Sequence, residues 1–109
     1  MGSAKKTAED RLQIQHRQGW VKLTQRYLAD LPQQLQAMRE CLDRGDLANL
    51  RQQAHRAKGT SGTYRLEKIA EQLARLENLA QQGAVQDIPL LLDQLAVLVA
   101  EAVVRCRDG

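Results

Sequence analysis

Two imidazoles are present, His16 and His55, and only His55 sits in a pattern that could do chemistry. In the run Ala54-His55-Arg56-Ala57-Lys58-Gly59-Thr60-Ser61-Gly62, a helical step of about 100° per residue brings Arg51, Gln52, Lys58, Gly59 and Gly62 to within about 60° of His55. The apolar stripe of the same segment centres roughly 120° away, so the imidazole is expected to face water. Lys58, one turn on, could set its ammonium beside a phosphoryl group carried on the ring, and its like charge would favour the neutral, nucleophilic imidazole. A glycine in a helix interior costs about 1 kcal/mol relative to alanine. Keeping Gly59 and Gly62 beside His55 therefore points to a need for bare backbone, open to the surface of another protein. A plainer reading uses the same residues: Lys58-Gly59 closes the helix, and His55 is a solvated last-turn residue complementing the helix dipole.

Other candidates carry less. His16 lies between Gln15 and Arg17 with no Lys-Gly at the matching offset, and it reads as a solvated lead-in residue. Glu71 and Glu77 read as solvated or hydrogen-bonded carboxylates, because no second carboxylate is fixed opposite them for acid catalysis. Trp20 and Tyr27 read as core packing.

Four helical segments must position these residues. From Trp20 the apolar positions Leu23, Tyr27, Leu28, Leu31, Leu35, Met38 and Leu42 recur at helical spacing, with a kink or restart expected at Pro32 and an end at Gly45. Before them, residues 9–18 suggest a short leading helix anchored by Leu12 and Ile14. Asp46 is a good N-cap for the second helix, which carries Leu47, Leu50, Ala54, Ala57, Ser61 and Tyr64 along one stripe. A third helix over about 66–82 turns Ile69, Leu73, Leu76 and Ala80 inward and ends at Gly83. The fourth starts near Asp87, with Pro89 in its first turn, and continues through Leu92, Leu95, Leu98, Val99, Ala102 and Val103. Short connections imply antiparallel neighbours, hence an all-α, up-down-up-down four-helix bundle with a short N-terminal lead-in helix. Met1-Gly2-Ser3 resembles a cloning scar, so residues 1–8 are expected to be scar and disordered lead-in, and 9–109 a single domain.

Composition agrees with this class. The chain has no Phe and two Pro in 109 residues, favouring helix over a β-architecture. A net charge of +3, with basic and acidic residues interleaved, argues against nucleic acid as a partner. Cys41 and Cys106 lack CxxC spacing and form no metal set with the two histidines. The up-down order puts them at opposite ends of the bundle, which excludes a disulfide between them. No apolar run approaches the roughly 20 residues of a membrane span and no signal segment is evident, so a soluble, cytoplasmic domain without membrane contact is expected.

The segment Ala54–Tyr64 resembles the HxxKG signature of the histidine phosphotransfer (HPt) family. Leu66 through Leu76-Glu77 is similar to the family's next helix with its Leu-Glu ending, and Gly45-Asp46 with Leu50 to its usual lead-in. The pattern extends from about Tyr27 to Val103, but only 54–64 is specific. The resemblance implies that His55 is phosphorylated, that Lys58 is the phosphate-side cation, and that Gly59 lets a receiver domain approach. Arg51, Gln52 and Gly62 complete the expected partner face. It also implies a phosphorelay carrier, not an enzyme using ATP, since neither a P-loop nor a Gly-rich ATP lid is found. The expected partners are a response-regulator receiver domain and a sensor or hybrid histidine kinase. No cofactor is expected in this monomeric chain, because the receiver supplies Mg²⁺. One departure is Arg65, where family members often have glycine, so the turn into the third helix could differ. The alternative is a helical interaction module that docks a partner through the His55 face without phosphorylation; a hydrolase using His55 as base would lack a paired nucleophile and a pocket.

Overall fold

A computed structural model describes the backbone of residues 3–108 and the side chains of residues 19–107. Four helices follow one another: α1 (Ser3–Asp43), α2 (Leu47–Thr63), α3 (Glu67–Gln82) and α4 (Ile88–Asp108), with no strand among the described residues. Each helix packs on its neighbours in the order α1, α2, α3, α4 and back to α1, so α2 and α4 lie on the diagonal. Cross-links fix the antiparallel sense. Arg39 of α1 binds Asp93 near the start of α4, and Gln25 donates to the Cys106 carbonyl near its end. This is the expected up-down-up-down bundle.

The first helix differs from its expected form. It runs unbroken through Pro32, so neither a separate leading helix nor a restart at the proline appears, and residues 3–8 belong to the same helix. Proline removes one backbone donor, the one that would bond the Leu28 carbonyl. Leu28, Leu31 and Leu35, all buried, hold the segment in place around that gap. At 41 residues, or about 60 Å by helical rise, α1 accounts for the 65 Å long axis. It therefore runs past the end of the bundle, where α4 offers no further turns. Trp20 (43 % exposed) and Leu23 (49 %) consequently remain half in water although their spacing continues the inward stripe; burial begins at Thr24 and Tyr27. Met1 and Gly2, and the side chains of Leu12, Ile14 and His16, lie outside the described residues.

The core is otherwise where the periodicity puts it. Leu50, Ala54, Ala57 and Ser61 are buried on α2, Ile69, Leu73, Leu76 and Ala80 on α3, and Ile88, Leu91, Leu92, Leu95, Val99 and Ala102 on α4. Leu42, Leu47, Tyr64, Leu98 and Val103 pack at its edge. Cys41 is buried and Cys106 half-buried, both as free thiols.

Helix ends supply the turns. After α1, α2 and α3 the chain closes on a left-handed residue, Gly45 (φ 72°), Arg65 (φ 59°) and Gly83 (φ 72°). Each is followed by an amide that reaches back to the last turn: Asp46 to the Cys41 carbonyl, Leu66 to Ser61 and Ala84 to Leu79. These paired bonds satisfy carbonyls that the helix end would otherwise leave open. Arg65 thus keeps the turn that glycine would make, at the steric cost a Cβ meets in that conformation. Arg65→Gly should raise stability by roughly 0.5–1 kcal/mol, the relief of strain being partly offset by a freer unfolded chain. A lower midpoint in urea denaturation would show that the arginine side chain is worth more than the strain.

Candidate functional site

Asp46 caps α2 through a bond from the Asn49 amide to its Oδ1 at 3.1 Å, and the helix then runs through Gly59 and Gly62 to Thr63. The reading in which Lys58-Gly59 closes the helix is thereby excluded. Thr63 Oγ1 donates to the Gly59 carbonyl, and Tyr64 N–H to that of Thr60. Tyr27 of α1 pins the inward side: its hydroxyl donates to the Ala57 carbonyl at 3.0 Å and meets Ser61 Oγ at 2.9 Å. The buried serine is satisfied, and burial pushes the Tyr27 phenol up from its ordinary pKa. With the inner face fixed, the outer face cannot turn. The His55 side chain is 66 % exposed, Arg51, Gln52, Gly59 and Gly62 are exposed, and Lys58 is half-buried.

What the sequence did not show is the partner across the helix pair. Glu77 of α3 reaches His55 Nδ1 with Oε1 at 2.9 Å and Lys58 Nζ with Oε2 at 2.8 Å, one carboxylate bridging both. The lysine, first, and the imidazole hold its carboxyl below the ordinary carboxylate range against the opposing effect of burial. An ionised carboxylate only accepts hydrogen bonds, so Nδ1 must carry the proton toward it. Neutral His55 then has its lone pair on Nε2, on the far side of the ring. The bare-cation picture of Lys58 changes accordingly: its charge reaches the imidazole through a shared counter-ion.

Beside His55 the surface is open. A shallow depression of about 380 Å³ is lined by Arg51, Gln52, His55, Arg56 and Glu77, and Gly59 continues the face one turn further on. A Cβ added at Gly59 or Gly62 would meet nothing within 4 Å. Arg56 was missed because it lies about 100° around the helix from His55, and Glu77 because its meeting with α2 depends on helix docking. Among the described residues no group of three metal-ligating side chains occurs.

Since Gly59 is an interior helical residue with room for a methyl group, Gly59→Ala should stabilise the fold by up to about 1 kcal/mol through helix propensity. Gly59→Gln should preserve the fold and slow any reaction that brings a second protein against this face. A lower melting temperature for the alanine variant would contradict the first expectation.

A four-helix bundle presenting one oriented, solvent-facing histidine beside a lysine and bare backbone defines the class of helical phosphotransfer modules. The model of the Hpt domain family matches residues 22–104, and the chain belongs to that family. Membership makes it a histidine phosphotransfer domain of the two-component phosphorelay type, a carrier and not a kinase domain. Searches among curated proteins and among solved structures each returned no match. No described helix is long and apolar enough to cross a membrane.

Proposed function

We propose that His55 is the phosphoryl carrier and exchanges its group with the aspartate of a response-regulator receiver domain. The observation that carries the proposal is the 2.9 Å contact between His55 Nδ1 and Glu77 on an otherwise exposed ring. With the proton held at Nδ1, the Nε2 lone pair is free to attack phosphorus in line. The N–P bond forms as the aspartyl O–P bond breaks, and its electron pair returns to the aspartate carboxylate. Mg²⁺ on the receiver would neutralise the charge developing there. Nδ1–H stays hydrogen-bonded to Glu77 throughout, so the phosphorylated ring is an imidazolium whose positive charge the Glu77 carboxylate balances. Lys58, within reach of both groups, would then balance the added negative charge. Arg51 and Arg56 would meet the acidic surface of a receiver's active site, and Gly59 and Gly62 would admit it closely. Incubation with a receiver phosphorylated by a small-molecule donor tests this: acid-labile, base-stable label on the chain is expected. Tight binding without label would favour a docking module.

Glu77 also sets an acid limit. Its folded pKa lies below the ordinary value of 4.5, so its bridge contributes stability fully above that value. The contribution is lost as pH falls below about 4.5 and through the depressed pKa. Glu77→Gln should therefore flatten the acid limb of melting temperature against pH below about pH 5. It should also slow transfer at neutral pH, because a neutral amide no longer demands the proton on Nδ1. An unchanged acid limb would show that the bridge is not formed in solution.

A further inference from the structure

The outer side of the fourth helix mixes exposed hydrophobic residues with polar ones, among them Asp93, Gln94, Glu101 and Arg107. Leu90 (64 % exposed), Val97 (57 %) and Val104 (53 %) are large hydrophobic residues left in water. Their spacing of seven puts them on one line along the helix, about 21 Å long. Exposed Ala96 and Ala100 lie beside this line. They lead into a groove of about 310 Å³ against α1, where Pro32, Leu35 and Gln36 face Ala96, Ala100 and Val103. Single exposed hydrophobic residues are ordinary, but three in line at a spacing of seven beside an apolar groove mark a contact surface. Because α4 is diagonal to α2, this surface is not the His55 face, and the role proposed for His55 does not use it.

We propose that the α4 face joins two copies of this chain in an antiparallel dimer with its two-fold axis at Ala100. The charges on the face select that occupant. Asp93 and Arg107 lie equally far from Ala100 in opposite directions, so a two-fold axis there sets Asp93 of each copy against Arg107 of the other. The Asp93 side chain is 66 % exposed even with Arg39 on one oxygen at 2.8 Å, and it can accept a second guanidinium. A parallel pairing would instead bring Asp93 to Asp93 and Arg107 to Arg107, which like-charge repulsion disfavours. The same axis brings Val104 of one copy level with Ala96 of the other and Val97 level with Val103, so that apolar side chains meet at the mouth of the groove. Alanine on the axis lets the two helices approach. Both His55 faces would remain open in such a dimer.

Sedimentation equilibrium on the full chain from about 5 µM to about 500 µM covers the affinities of small interfaces. The expected result is a monomer that becomes a dimer across this range. Val97→Lys should weaken association by at least about tenfold, a central hydrophobic contact being replaced by a charge. Arg107→Asp should weaken it as well, and adding Asp93→Arg to that variant should restore it. Circular dichroism should report unchanged helicity for all three, since every substituted position is exposed. A chain that stays monomeric at all concentrations overturns the proposal and leaves the stripe to a different protein. So does a dimer that Val97→Lys or the single charge reversal leaves intact.

Discussion

His55→Gln takes up no label from a phosphorylated receiver, while its melting temperature moves by no more than about 2–4 °C, the range for a small effect at an exposed site. The amide of glutamine can still donate toward Glu77, so the ion-paired carboxylate keeps a partner and the α2–α3 contact is preserved. What is lost is a ring nitrogen with a lone pair able to form an N–P bond. The loss should be complete, since no other side chain at the face offers an equivalent nucleophile. Label on the His55→Gln chain would overturn the assignment, and its removal by a further His16→Gln change would locate the acceptor on the other imidazole. Quantifying label per chain in the unaltered protein and in Lys58→Ala completes the series. The lysine variant should transfer more slowly yet still accept, because charge balance is weakened while the nucleophile remains.

The largest effect on stability is expected at Leu73. It is fully buried in α3, on the layer that meets the other helices, and its truncation to alanine should cost about 2–5 kcal/mol. For a domain whose total stability is on the order of 5–15 kcal/mol, that removes a large share, and urea denaturation should show a much lower midpoint. Leu23→Ala provides the comparison. Its side chain is 49 % exposed although sequence spacing groups it with the buried leucines, so its cost should stay below about 1 kcal/mol. Equal losses at the two positions would mean that α1 packs further toward its N-terminus than it does here.

Those two leucines mark where periodicity stops being informative. The stripe over α1 tells which side of the helix faces inward, but not where a neighbouring helix ceases to cover it. Gly45, Asp46, Gly83 and Pro89 announced helix boundaries because each acts locally, through a left-handed φ, a capping carboxylate or a missing donor. Pro32 misled for the complementary reason. Its local cost is outweighed by buried leucines on either side, a balance that depends on tertiary packing. Arg65 is an intermediate case: the turn is made by hydrogen bonds back to Ser61 and Gly62, which hold a non-glycine residue in a conformation it would not choose.

The amino-acid sequence by itself determined that the chain is an all-α bundle and that His55 faces away from the core, because helical periodicity and the packing side of one helix are local properties. It also carried the resemblance to the HPt family that the family match later established. Only the tertiary structure decided which nitrogen of His55 is held and by what. Glu77 lies far from His55 along the chain, and the carboxylate reaches both Nδ1 and Lys58 because α2 and α3 dock in one particular register. That register depends on how the buried residues of α2, Leu50, Ala54 and Ala57, and of α3, Ile69, Leu73 and Leu76, fit into one shared core, a three-dimensional fit that no spacing along a single helix encodes.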